Sequence, residues 1–120
     1  MSTSREDFDP LARVVDWLDA CRTGELKTLL DLYDEKATLE CACEAASFTG
    51  RAALAAYWGP KLETRVPTAF DLDDMSLGPD GVWLDYRSYE GNPVRIHFRF
   101  GVSGKILHSS CDPLALRCAC

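Results

Sequence analysis

Apolar positions recur at helical spacing through the first half of the chain and then switch to strict alternation. Asp9 followed by Pro10 is a cap and first-turn signal, after which Leu11, Val14, Val15 and Leu18 return every three or four residues. The pattern predicts a helix from about Pro10 to Arg22, with Trp17 on the flank of its apolar stripe. Thr23-Gly24 interrupts it, and Leu26, Leu29, Leu30 and Tyr33 mark a short second helix ending near Asp34. Ala37 to Cys43 alternates and reads as a strand, followed by a shorter one around Ser47 and Phe48. Ala53, Leu54, Tyr57 and Trp58 define a third helix, which Gly59-Pro60 ends or kinks.

Beyond it the period falls from 3.6 to 2. Strands are predicted near Ala69 to Leu77, Val82 to Glu90, Val94 to Phe100 and Lys105 to Cys111, joined by turns rich in Gly, Pro and Asn. Such close spacing leaves no room for helical crossovers, so the class is α+β, with the helices on one face of a mostly antiparallel sheet.

Composition narrows the partners. The 120 residues carry 13 Lys and Arg against 19 Asp and Glu, a net charge of −6. With 47% hydrophobic residues, the chain can build a core without metals or disulfides and reads as one domain over 1–120. The acidic balance, without a basic cluster, argues against nucleic acid and anionic membranes as partners. No apolar run is long enough to span a bilayer, and the polar start lacks a signal-peptide core, so a cytoplasmic location is expected. Cysteines fall at 21, 41, 43, 111, 118 and 120, with Cys-Ala-Cys twice, the second in a short tail over 114–120. Read as small apolar fillers, they are expected to be reduced and metal-free, and no cofactor is expected.

Helix, helix, strand, helix and a four-strand meander resembles the nuclear transport factor 2-like superfamily, which includes the SnoaL-like polyketide cyclases and the ketosteroid isomerases. The resemblance rests on Thr23-Gly24-Glu25-Leu26, Ala37-Thr38-Leu39-Glu40, Phe48-Thr49-Gly50-Arg51, His97-Phe98-Arg99-Phe100 and Gly104-Lys105-Ile106, in that order. It implies a cystatin-like cone, three N-terminal helices packed on a curved sheet, open to a mostly apolar pocket and often dimeric through the sheet. The isomerase members' Tyr, general-base Asp and oxyanion-binding Asp fall on Trp17, Cys41 and Ile96, so steroid isomerisation is excluded and no catalytic residue is assigned. Carried over position by position, the pocket would be lined by Trp17, Cys21, Tyr33, Cys41, Trp58, Ile96, Phe98 and Ser109. This set suits a small apolar or aromatic ligand. Two other readings are a SnoaL-like lyase, isomerase or hydrolase using general acid and base catalysis, and a structural module whose cone is filled by its own side chains.

Register decides which polar groups enter the cone. A regular turn between Phe100 and Lys105 would pair Phe98 with Leu107, Ile96 with Ser109 and Val94 with Cys111 inside. His97 and His108 would then be cross-strand neighbours outside, where Arg95, His97 and Arg99 beside Ile106 form a mixed face suited to a homodimer. Asp85 and Arg87 are expected to face outward, with Asp85 near Arg99 and His97, because burying them would desolvate two ions.

Overall fold

The computed structural model describes residues 9–42 and 44–114, so Cys43, Cys118, Cys120 and most of the expected tail lie outside the described residues. Along the chain come α1 (Pro10–Thr23), α2 (Leu26–Asp31), β1 (Tyr33–Cys41), β2 (Ala46–Thr49), α3 (Arg51–Glu63), β3 (Leu72–Gly78), β4 (Gly81–Arg87), β5 (Pro93–Phe100) and β6 (Ile106–Pro113). The strands form one sheet in the order β2-β1-β6-β5-β4-β3, and every pair is antiparallel except β1 with β6. This is the α+β, mostly antiparallel arrangement that the spacing predicts. Among the described residues, no helix is long and apolar enough to cross a membrane.

The first helix begins where the Asp9 carboxylate accepts from the Leu11 N–H at 3.0 Å, with Pro10 at a position that needs no donor. It ends at Gly24, whose left-handed φ of 72° turns its N–H back onto the Ala20 and Cys21 carbonyls. The buried stripe runs through Val14, Trp17, Leu18 and Cys21, whereas Val15 is exposed. Trp17 therefore sits at the centre of that stripe and not on its flank.

Three further boundaries depart from the sequence pattern. Tyr33 does not extend α2; it opens β1 opposite Ile106, and the Ile106 N–H donates to the Leu32 carbonyl at 2.9 Å. Gly59-Pro60 does not end α3, which continues through Pro60 to Glu63. An interior proline removes a helical hydrogen bond. Offsetting this, Leu62 becomes buried, and Lys61 is held over the Tyr57 ring at 4.2 Å while pairing with Glu44 at 3.0 Å. Thr64 then closes the helix by donating its N–H and Oγ to the Pro60 carbonyl. Finally, β3 starts at Leu72 and not at Ala69, because Phe70 adopts a left-handed φ of 63° that turns its ring into the core.

The β5–β6 pairing also differs from a regular hairpin. Phe98 faces Ser109, Ile96 faces Cys111 and Val94 faces Pro113, while Phe100 faces Ile106. Leu107 is thus the extra residue of a bulge between the Arg99–His108 and Phe100–Ile106 pairs. The bulge lets Ile106, Ser109 and Cys111 all point inward and leaves Leu107 exposed. Ile106 consequently does not belong to the outer face.

At the β3–β4 turn, Gly81 has a φ of 136°, and a Cβ there would lie 1.9 Å from the Phe98 carbonyl oxygen. Gly81→Ala must push β4 away from β5, and we expect a loss of at least about 2 kcal/mol, read by urea denaturation.

Candidate functional site

The interior of the cone is built around one indole. Trp17 meets Trp58, Phe70, Tyr86 and Phe98 edge-on, at centroid distances of 5.5, 6.0, 5.3 and 5.2 Å. Edge-to-face contact presents positive ring edges to negative ring faces and fills space without polar atoms. The rings come from α1, α3, the turn before β3, β4 and β5, so the cluster joins both layers of the fold.

One polar node interrupts this apolar centre. The Trp17 indole N–H donates to the Tyr33 hydroxyl at 3.1 Å, in a buried hydrogen bond between α1 and the start of β1. Trp58 Nε1 and Ser109 Oγ face the same hydroxyl, but both are buried and neither closes a hydrogen bond of normal geometry. Burial pushes the Tyr33 phenol well above its ordinary pKa, so it stays a neutral donor and acceptor. Cys21 lies beside it, and burial likewise raises its thiol well above the usual value, against the opposing influence of Arg22 and Arg65.

All eight residues expected to line the pocket are buried, none more than 4% exposed. The structure brings together Trp17, Cys21, Tyr33, Trp58 and Ser109 around the hydroxyl, with Phe98 against Trp17. Ile96 and Cys41 flank Cys111 on the two neighbouring strands, and Cys41 belongs to the far end of β1. Cys41 and Cys111 both line a groove of about 590 Å³ at the end of β1, β2 and β6. Sequence reasoning left out Phe70 and Tyr86. Phe70 was hidden because it reads as part of a strand, and Tyr86 because its face depended on the β4–β5 register.

That register settles the two charges on β4. Val82, Leu84 and Tyr86 are fully buried, and Asp85 and Arg87 point outward as expected. The partner of Asp85 is neither Arg99 nor His97. The five-residue connection from Ser88 to Asn92 shifts the pairing so that Asp85 opposes Arg95, which grips both its oxygens at 2.7 and 3.0 Å. Arg87 pairs with Asp73 at 3.1 Å. His97 and His108 share the outer face but are not direct neighbours: His97 opposes Ser110, and His108 opposes Arg99. His108 also bonds Glu40 at 3.0 Å. Neither histidine shares the inward face of Cys41, so among the described residues no imidazole is placed to activate its thiol.

Two measurements check this account. Tyr33→Phe leaves the Trp17 N–H buried without an acceptor, and the expected cost is about 1–3 kcal/mol in urea denaturation. His97, stacked on Trp83 with a centroid distance of 4.3 Å, is held below its ordinary pKa of 6.5, mainly by burial and further by His108 and Arg99, against the pull of Asp80. Between the folded and ordinary pKa values the unfolded chain binds the extra proton, so this group lowers stability as pH falls below 6.5 and has no effect well above it. Thermal midpoints for His97→Gln should lack that part of the acid-side decline.

The chain's sequence matches the model of a SnoaL-like domain over residues 14–108. No curated protein matches it by sequence. Its fold is similar to that of a SnoaL-like protein of unknown function from Burkholderia thailandensis, with 18% identity, a TM-score of 0.78 and coverage of 88% of this chain and 94% of that one. It is also similar to a Methylobium petroleophilum protein of unknown function with a cystatin-like fold, at 13% identity and a TM-score of 0.73, covering 90% of this chain and 77% of that one. A third similarity is to the orange carotenoid protein of Anabaena, solved binding canthaxanthin, at 16% identity and a TM-score of 0.63 over 87% of this chain and 36% of that one. With the family model covering most of the strands and all but the start of the helices, the chain belongs to the SnoaL-like domain family.

Proposed function

We propose that the cone binds a small apolar or aromatic molecule carrying one hydrogen-bonding oxygen, which engages the node at Tyr33. The observation that carries this reading is the pair of buried polar atoms, Trp58 Nε1 and Ser109 Oγ, beside a neutral phenol inside a ring-lined interior. A buried polar group without a partner costs about 1–3 kcal/mol, which a ligand oxygen would recover. Aromatic walls with a few convergent polar groups are the usual make-up of small-molecule sites. Because side chains fill the interior, entry requires a ring to move, and Trp58 on α3 is the one whose own N–H gains a partner. That a protein of similar fold was solved with canthaxanthin bound is consistent with an apolar ligand. The wild-type protein with 2-naphthol should melt at a higher temperature, by at least about 2 °C at saturation, and naphthalene should do less. Ser109→Ala should shrink the 2-naphthol shift.

A second reading is favoured by the packing itself, with Trp17 enclosed by four rings. On this reading the cone is closed, and the outer sheet face is the working surface. Trp83 and Leu107, each 44% exposed, supply its apolar part in place of Ile106. A homodimer through this face would scatter light as twice the 13.3 kDa chain, and Trp83→Glu would return it to the monomer mass. Absence of any melting shift with either naphthalene compound favours the closed cone.

A further inference from the structure

The node at Tyr33 is rich in donors and short of acceptors. Trp17 and Trp58 each bring an indole N–H, which cannot accept, and Tyr33 and Ser109 each bring a hydroxyl proton. Against those protons the node's side chains set the Tyr33 and Ser109 oxygens, beside the weakly hydrogen-bonding Cys21 thiol. A bond of normal geometry runs from Trp17 to Tyr33 at 3.1 Å. The Trp58 N–H and the Ser109 hydroxyl, both buried, close none. Tyr33, accepting from Trp17 and held neutral by burial, also keeps a proton to give.

This surplus defines the group that completes the node. A ligand hydroxyl would answer one donor and add another proton to the same shortage. A carboxylate would accept freely, but an ion must shed its water here, and the groups acting on Tyr33 are two indoles, a thiol and a hydroxyl, none of them cationic. A carbonyl oxygen offers two lone pairs, brings no proton and carries no charge.

We propose, resting on the reading that the cone takes an apolar ligand at Tyr33, that the ligand is an aromatic ketone or aldehyde whose carbonyl oxygen accepts from Trp58 Nε1 and Ser109 Oγ. Trp58 stands on α3 and Ser109 on β6, so the carbonyl bridges the helical layer and the sheet. The two side chains then determine specificity: they select the carbonyl against an alcohol or a hydrocarbon of the same shape, because either of those leaves the node with buried protons unanswered.

Compounds of nearly one shape separate the possibilities: 2-acetonaphthone, the alcohol 1-(2-naphthyl)ethanol, the alkene 2-isopropenylnaphthalene and the anion 2-naphthoate, each titrated calorimetrically into the full chain. The ketone should bind at least about tenfold more tightly than any of the others. Its carbonyl stretch, read by infrared difference spectroscopy, should lie at lower frequency when bound than in hexane. Trp58→Phe keeps a ring without the N–H, and Ser109→Ala removes the hydroxyl with little change of shape. Each should move the bound stretch back toward its hexane value and reduce the ketone's advantage over the alkene. Alcohol or anion binding as tightly as the ketone, an unshifted stretch, or a stretch that neither variant moves would overturn the carbonyl assignment while leaving an apolar ligand at Tyr33 standing. Equal binding of ketone and alkene, or no binding of any of the compounds, would overturn both.

Discussion

The hydrogen bond between the Trp17 indole and the Tyr33 hydroxyl is the constraint on which the interior depends. An indole of this size buries about 200 Å² and contributes roughly 5 kcal/mol of apolar stabilisation, of which about 1–3 kcal/mol is lost where its single N–H finds no acceptor. Its acceptor is the first residue of β1, so the bond sets the distance from the middle of α1 to the start of that strand. Four further rings then close around the indole from α3, β4, β5 and the turn before β3. The strained backbone at Phe70 is tolerated for the same reason: its ring stacks on Tyr86 with planes 8° apart and meets Trp17 edge-on.

Charge is kept on the opposite side of the sheet. Arg95 with Asp85, Arg87 with Asp73 and His108 with Glu40 all lie on outward or edge positions, where water reduces what each pair contributes. The inner face carries hydroxyl, thiol and indole groups instead, which are polar without being ionised at neutral pH. Such a surface suits neutral molecules better than charged ones.

Much of this was legible in the sequence. Caps, glycine turns and the change of period located the elements, and the cost of burying ions was enough to place Asp85 and Arg87 outside. The eight positions expected to line a pocket are all buried, yet the sequence did not divide them between the Tyr33 node and the Cys41 end of the sheet. What escaped was decided by tertiary packing. Pro60 stays helical because Leu62 and Lys61 have buried work beyond it, Leu107 is bulged because Ile106 must turn inward, and Phe70 leaves the strand to reach Trp17. No local propensity encodes any of these three. The β4–β5 register was similarly hidden in a loop, where the Ser88 hydroxyl accepts from the Glu90 and Asn92 N–H groups and so holds five residues in place of a two-residue turn.

The strand order carries a consequence for how the chain acquires its shape. The last strand in sequence, β6, is inserted between β1 and β5 in the middle of the sheet. Until it arrives, the helices with β1 and β2 cannot join the meander, and each half presents an unpaired strand edge and an unfilled apolar surface. On a ribosome the domain must therefore wait for nearly its entire length to emerge before its sheet can close. Such late, long-range closure is slow relative to local hairpin formation, and it leaves the nascent protein dependent on whatever shields those edges in the interval.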